Sequence, residues 1–125
     1  MAAVLTEIVI DCHDPRRVGQ FWSAVLGWPL VEDERGFFWI SSTGTEPDPL
    51  PLLVFVPVPE TKTIKNRVHL DVNPSGNDQE EELERLLALG AARVDVGQRE
   101  VTWFVLADPE GNEFCLLRQR FDPDT

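Results

Sequence analysis

The sequence predicts an α+β protein in which two βαβββ modules pair to form a cup-shaped mixed sheet with the helices on the outside. The order of one strand, one helix and three further strands is expected twice along the 125 residues. The spacing agrees, since Glu7 lies 19 residues before the expected helix end at Leu26, and His69 lies 20 residues before the one at Leu89. One helix covers one face of such a sheet, so the other faces are expected to line a shared concavity.

The length and composition fit a single globular domain over residues 1–125. Apolar residues make up 42% of the chain, which is typical of soluble proteins with a packed core. We expect module one over about residues 1–57 and module two over about residues 67–120. The proline- and charge-bearing segment 58–66 is interpreted as the connector between them.

The first module begins with residues 4–10, whose β-branched side chains favour a strand. Asp14 and Pro15 are typical of a helix N-cap and first helical position, and Gly27 is placed to end that helix. Three short strands are expected next, over residues 28–33, 37–41 and 52–56, with a loop over 43–51.

The second module repeats this order from residue 67. A strand is expected over residues 67–72, followed by a helix over 77–89 with an apolar leucine stripe and a start rich in acidic residues. The glutamates at 80–82 and Glu84 are interpreted as a solvent-exposed face. The remaining strands are expected over residues 92–96, 101–107 and 113–118.

Alternation along the strands assigns side chains to the two faces of each sheet. The face toward the helices is expected to carry Ile8, Ile10, Val68, Leu70, Phe114 and Leu116. The face toward the cup is expected to carry Glu7, Val9, His69, Asp71, Glu113, Cys115 and Leu117.

The net charge of -11 excludes several classes of partner. Nucleic acids and anionic membranes are bound through excess Lys and Arg, and no run approaches the ~20 apolar residues of a membrane-spanning helix. No signal-peptide pattern is recognised at the start, so a cytoplasmic location is expected. Cys12 and Cys115 are then expected to be reduced thiols.

Four segments together resemble the vicinal oxygen chelate superfamily of glyoxalases, extradiol dioxygenases, fosfomycin-resistance enzymes and bleomycin-resistance proteins. They read EIVIDCHDP at 7–15, FWSAVLGW at 21–28, RVHLDV at 67–72 and ADPEGNEFC at 107–115. The chain looks most similar to the small glyoxalase-like domain proteins of that superfamily. The resemblance implies two paired modules, a cup-shaped ligand site and a homodimer.

The resemblance also implies a divalent metal such as zinc, nickel, manganese or iron, held by one ligand from the first and last strand of each module. Glu7 matches the first ligand position, His69 the third and Cys115 the fourth. The second position falls within residues 52–56, which contain no metal-ligating side chain. Glu113 shares the strand face of Cys115 and is an alternative ligand. Carboxylate, imidazole and thiolate groups all bind zinc.

Structural roles are the alternative for the same residues. His69 is expected to be a strand histidine hydrogen-bonded to Glu7, and Cys115 a small buried apolar side chain. The neighbourhood of Cys115 is acidic, which disfavours a reactive thiolate. His13 is interpreted as a surface histidine, because its neighbour Cys12 points to the opposite strand face.

Two tryptophans are candidate walls of a ligand pocket. Trp39 and Trp103 both lie on expected strands, where alternation can direct them into the cup. Binding sites for small molecules are mostly apolar with a few polar groups, which these residues would provide.

The preferred hypothesis is a metal-free binding protein that holds a small organic ligand in the cup, similar to the bleomycin-resistance branch. A cationic aromatic ligand is one possibility, because Glu7, Asp71 and Glu113 would supply negative charge and Trp39 or Trp103 would stack on the ring. The binding protein is preferred over a metal enzyme because residues 52–56 provide no side chain for the second metal-ligand position.

The alternative hypothesis is a divalent-metal-dependent lyase, isomerase or dioxygenase acting on a substrate with vicinal oxygens. In that case Glu7, His69 and either Cys115 or Glu113 would hold the metal. No catalytic residue is assigned from the sequence, and the substrate stays undetermined.

Overall fold

The strands and helices follow the predicted order twice. The structure is a computed structural model that describes residues 1–123. The first set is β1 (Glu7–Cys12), α1 (Pro15–Leu26), β2 (Leu30–Glu32), β3 (Phe38–Ile40) and β4 (Leu52–Pro57). The second set is β5 (Leu70–Val72), α2 (Gln79–Leu89), β6 (Ala92–Arg93), β7 (Phe104–Ala107) and β8 (Glu113–Leu116). The α+β class and the repeated βαβββ unit are therefore confirmed.

The chain divides into two compact units, Met1–Thr61 and a second that begins at Lys62. The first unit has the sheet order β1-β4-β3-β2, and the second has β5-β8-β7-β6. In each unit the two strands at one edge are parallel, β1 with β4 and β5 with β8, and the other pairs are antiparallel. Each parallel pair is connected through the helix and the two intervening strands.

Helix α1 has the predicted ends. The Asp14 side chain accepts a hydrogen bond from the Arg17 amide at 3.1 Å, Pro15 is the first helical residue, and Gly27 has the left-handed φ of 69°. Gly19 faces the sheet, where a β-carbon would lie 3.0 Å from the Leu30 side chain. A larger residue there would require the Leu30 side chain to shift.

The core of the first unit lies between α1 and the strands β3 and β4. It contains buried aromatic and aliphatic side chains, among them Val18, Phe21, Trp22, Phe38, Ile40 and Phe55. In the second unit, Phe114 and Leu116 of β8 and Leu83 and Leu86 of α2 are buried. The Gln79 side chain also donates to the Leu116 carbonyl at 3.3 Å, which ties the start of α2 to β8.

Several predicted strands are shorter in the structure. The strand β5 begins at Leu70, so Val68 precedes it and is 80% exposed. The prediction that Val68 faces the helix is therefore wrong. After β6, side chains bind the backbone locally, since the Gly97 amide donates to Asp95 and the Val96 amide to Gln98, each at 2.8 Å. These bonds compete with strand pairing and explain why residues 95–103 form a loop.

Glu82 differs from the expected solvent-exposed acidic face, because its side chain is only 8% exposed. Its carboxylate accepts hydrogen bonds from Arg85 Nε at 2.7 Å and from Asn77 Nδ2 at 3.0 Å. Burial raises the pKa of Glu82, but the hydrogen bonds from Arg85 and Asn77 and the Arg85 charge outweigh it and leave the pKa below its ordinary value. Leu87 and Leu89, expected in the apolar stripe, are each 37% exposed.

Membrane crossing needs a long apolar segment, and neither helix within residues 1–123 is long and apolar enough to cross a bilayer.

Candidate functional site

A cavity of about 430 Å³ lies in the second unit. Trp103, Val105 and Leu117 provide its apolar surface, and Trp103 is 41% exposed. Its polar surface is formed by His69, Asp71, Glu113, Cys115, Lys65 and Gln98. An apolar recess with a few polar groups is the usual form of a small-molecule site.

The strand register explains why these side chains share one face. Asp71 of β5 lies directly opposite Cys115 of β8, and Val105 of β7 lies on the other side of Cys115. Successive residues point to opposite faces, so the neighbouring Phe114 and Leu116 are buried in the core instead. The side chains expected on this face of the second module do line the cavity.

His69, Asp71 and Cys115 form a compact cluster. One potential ligand atom from each lies within 4.8 Å of the others. His69 Nδ1 is 3.2 Å from Asp71 Oδ1, and both side chains are partly exposed, whereas Cys115 is buried. The hydrogen bond described for His69 therefore goes to Asp71, where the sequence favoured Glu7.

The Cys115 thiol is held in its neutral form. Burial is the main cause that raises its pKa, and the Asp71 charge and hydrogen bond add to it, while the Lys65 charge acts in the opposite direction. A neutral thiol is a poor nucleophile. Asp71 supplies the acidic charge predicted beside this cysteine, and the charge of Lys65 opposes it.

Glu113 lines the cavity, but its carboxylate is already bound. Lys62 Nζ lies 2.8 Å from Oε1, and the Asn66 amide donates to the same oxygen at 3.0 Å. Burial raises the pKa of Glu113, but the Lys62 and Asn66 hydrogen bonds leave it below its ordinary value. This ion pair compensates the negative charge that the sequence assigned to Glu113 as a ligand-binding group.

The other predicted site residues lie in the first unit. Glu7 starts β1 and is exposed. Trp39 is half-buried on β3, on the face opposite Phe38 and Ile40, which belong to the core. His13 is exposed, as expected, and its Nε2 is 2.8 Å from the Glu60 carbonyl oxygen.

The His69, Asp71 and Cys115 donors fit a zinc-like ion. They offer one nitrogen, one oxygen and one sulfur, and three protein ligands leave a fourth tetrahedral position open. A thiolate ligand is less suited to manganese, which prefers oxygen. Strand β4 has only apolar residues, LLVFVP, so it supplies no ligand.

Sequence reasoning missed two features of this site. Asp71 was expected to bind a ligand but not to join His69 and Cys115, although it shares their strand face. Lys65 and Gln98 lie in segments without strand periodicity, so no alternation indicated that they would line the cavity.

The fold and the cavity define the class of this protein. Two βαβββ units, each with a parallel edge pair, are the arrangement that the resemblance to the vicinal oxygen chelate superfamily implies, and the family match supports that resemblance. Within it, a family model described as "Glyoxalase-like domain" matches residues 7–117, and the chain belongs to this family. No match was found among curated protein sequences.

Similar solved structures span nearly the whole chain. A glyoxalase/bleomycin resistance protein/dioxygenase family enzyme from Burkholderia phytofirmans PsJN is 20% identical, with a TM-score of 0.63 and coverage of 91% of this chain and 97% of that one. The fosfomycin resistance protein FosX from Mesorhizobium loti is 16% identical, with a TM-score of 0.66 and coverage of 93% and 92%.

A further similar structure is a FosX variant from Listeria monocytogenes complexed with Mn(II) and 1S,2S-dihydroxypropylphosphonic acid. It is 14% identical, with a TM-score of 0.67 and coverage of 94% of this chain and 90% of that one. At these identities the likeness shows the shared fold.

Proposed function

We propose that this protein binds a small organic molecule in the cavity of its second unit. The observation that carries the proposal is the cavity itself, about 430 Å³ in volume, with Trp103, Val105 and Leu117 beside a polar group of His69 and Asp71. This volume is within the usual ~300–1,000 Å³ of small-molecule sites. An exposed tryptophan on such a wall is available to stack on a ring of the ligand.

The polar groups of the cavity support binding more than covalent catalysis. The raised pKa of Cys115 keeps this thiol protonated, and the Glu113 carboxylate is occupied by Lys62 and Asn66. Hydrogen bonds from such groups orient a ligand and give specificity.

The test is binding of phenylnaphthylamine, an uncharged fluorescent aromatic probe, to the full chain. We expect saturable binding that Trp103→Ala weakens about fivefold, the equivalent of a stacking contact of about 1 kcal/mol. The matched control is Phe121→Ala, which removes an exposed aromatic outside the cavity lining and should leave the affinity unchanged. Absence of saturable binding of both this probe and its sulfonated analogue, anilinonaphthalene sulfonate, or equal losses in both variants, would contradict the proposal.

A second candidate function is a metal-dependent reaction of the family type, favoured by the compact His69, Asp71 and Cys115 cluster. These three residues would hold a zinc-like ion, which when bound supplies a Lewis acid that polarises substrate oxygens. The predicted alternative set uses Glu7 in place of Asp71. Lyase, isomerase and dioxygenase activities belong to this candidate only.

Cobalt(II) titration tests the metal candidate without an activity assay. Coordination of the Cys115 thiolate should give a sulfur-to-cobalt charge-transfer band, absent in Cys115→Ser and His69→Ala. Cys12→Ser is the matched control, since Cys12 is the other buried cysteine, and it should keep the band. Comparing Asp71→Asn with Glu7→Gln identifies the carboxylate ligand. A titration without the band, or one that Cys115→Ser leaves unchanged, would exclude this site.

The homodimer implied by the family resemblance and the cytoplasmic location stay predictions. Sedimentation of the full chain over a range of concentrations tests the first, and fractionation of cells tests the second.

A further inference from the structure

The charges around the cavity are arranged differently from the acidic chain as a whole. Its net charge is -11, yet the charged groups that line the cavity are one lysine and two acids, Lys65, Asp71 and Glu113. Glu113 is neutralised from outside the lining, because Lys62 Nζ lies 2.8 Å and 3.1 Å from its two oxygens. Lys65 and Asp71 therefore determine the local charge.

Glu113 also positions the segment that carries Lys65. Its carboxylate binds this segment at both ends, at Lys62 Nζ and at the Asn66 amide, and Lys62 Nζ also donates to the Ile64 carbonyl at 2.6 Å. Lys65 lies between these attachment points. The ion pair that removes one negative charge from the cavity thus holds a lysine at its edge.

The Lys65 ammonium has no carboxylate partner within residues 1–123. Its hydrogen bond goes to the neighbouring Asn66 carbonyl at 3.1 Å, and the side chain is exposed. Five of the eleven lysines and arginines in the chain pair with a carboxylate within this part, including Lys62, three residues before Lys65. An unpaired cation at the edge of an apolar cavity is a suitable binding group for an anion.

Asp71 is the opposing charge, and it lies beside His69. The Asp71 carboxylate has the imidazole as a hydrogen-bond partner, which compensates it in part. Lys65 and Asp71 line the same cavity as Cys115, and their charges act on the pKa of its thiol in opposite directions. An anionic ligand group therefore belongs at Lys65, and a hydrogen-bond donor of the ligand belongs at Asp71.

We infer, on the basis of the binding function proposed above, that the ligand is an organic anion with an aromatic body. The ring stacks on Trp103, and the acidic group, a carboxylate, sulfonate or phosphate, is bound by Lys65. Glu113 contacts the segment that carries this lysine at Lys62 and at the Asn66 amide. The sign of this ligand is opposite to that expected from the acidic residues of the sequence.

The test compares two probes that differ mainly in one charged group, anilinonaphthalene sulfonate and the uncharged phenylnaphthylamine. Both are titrated into the full chain in the presence of EDTA, so that no metal can bridge the sulfonate. We expect Lys65→Met to weaken sulfonate binding about threefold to tenfold and to leave the uncharged probe unaffected. Asp71→Asn should strengthen sulfonate binding, and added salt should weaken it in the wild type.

The matched control is Arg17→Met, since the Arg17 side chain is an exposed cation of the first unit with no carboxylate partner within residues 1–123. It should leave both affinities unchanged. Equal binding of both probes, or equal losses from Lys65→Met and Arg17→Met, would overturn the inference while the binding function stands. Failure of both probes to bind saturably would instead reject the binding function.

Discussion

The two units share one strand order and differ in what the equivalent parallel pair carries. In the first unit, Val9 of β1 lies opposite Val54 of β4; in the second, Asp71 of β5 lies opposite Cys115 of β8. The backbone arrangement is repeated, but the ligand-type side chains of the pair are not. Repetition of the fold therefore does not repeat the chemistry.

The two units also differ in the side chains that their helices contribute to the core. In the first unit, α1 contributes Phe21 and Trp22, whose rings meet edge to face with centroids 5.4 Å apart. In the second, α2 contributes Leu83 and Leu86 and also the charged Glu82. The second unit thus has smaller apolar side chains on its helix and an ionised group at the margin of its core. We expect it to be the less stable of the two.

The largest predicted effect comes from one fully buried phenylalanine in each unit. Phe55 of β4 is 0% exposed and Phe114 of β8 is 1% exposed. Replacing either by alanine leaves a large cavity and should cost about 3–5 kcal/mol of unfolding free energy. Urea unfolding followed by far-UV circular dichroism measures this cost.

The same pair tests whether the units unfold together. If they do, Phe55→Ala and Phe114→Ala shift one shared transition. If each variant shifts only one of two transitions, the units are independent, and the more labile one should be the second. A first transition that responds only to Phe55→Ala would contradict the expected order of stability.

Glu82 gives the next largest effect and belongs to the second unit alone. Glu82→Gln removes charge-assisted hydrogen bonds with Arg85 and Asn77, and we expect a loss of about 1–3 kcal/mol at neutral pH. Its folded pKa is below the unfolded value, so this contribution is complete above the unfolded pKa and is lost as pH falls through the folded pKa.

Urea unfolding of wild type and Glu82→Gln from neutral to acidic pH measures this difference. The difference in unfolding free energy between the wild type and Glu82→Gln should disappear at acidic pH. Glu84→Gln is the control, because Glu84 is exposed on the same helix and should show no such difference. A difference in unfolding free energy that does not change with pH would mean that the ionised form of Glu82 adds nothing to stability.

Local sequence patterns predicted most of the fold. The caps at Asp14 and Gly27 define α1 in the structure, and the apolar runs become β4 and β8. The predicted strand lengths were wrong where side chains such as Asp95 bind the backbone and end the pairing between strands. The run of acidic residues in α2 also predicted an exposed Glu82. Residue spacing alone does not show that Arg85 binds this carboxylate.

Strand alternation predicted which side chains share a face of the sheet, but not which of them are in contact. Alternation placed His69, Asp71 and Cys115 on one face, but which of them approach each other depends on the register of two strands about 40 residues apart. Lys65 was missed because its position depends on Glu113, a tertiary contact that leaves no local signal in the sequence.

The smallest predicted effect concerns two loops that the units hold in different ways. In the first unit, the single carboxylate of Asp48 accepts hydrogen bonds from the Ser42 hydroxyl, the Thr43 amide and the Leu50 amide. The Leu50 amide contributes most to lowering the pKa of Asp48, and the Ser42 and Thr43 bonds help bring it to about 2. One charged group therefore organises this loop.

In the second unit, the loop that lines the cavity is held by separate contacts. The Gly97 amide donates to Asp95 and the Val96 amide to Gln98, and the Gln98 side chain donates to the Val94 carbonyl at 3.2 Å. Each contact spans only two to four residues. Such a loop can open in parts, as the binding function proposed for this cavity would require.

Hydrogen exchange distinguishes the two loops. Asp48→Asn should reduce the protection of the Thr43 and Leu50 amides together, because one acceptor serves both, and leave the Gly97 amide unchanged. Since the folded pKa of Asp48 is about 2, below its unfolded value, wild-type protection should persist in mild acid and fall only as pH approaches that value. Glu46→Gln, which changes an exposed acid in the same loop, should have no effect. Protection of Thr43 and Leu50 that survives Asp48→Asn would mean that the backbone holds this loop without the carboxylate, and the contrast between the loops would then depend on backbone conformation alone.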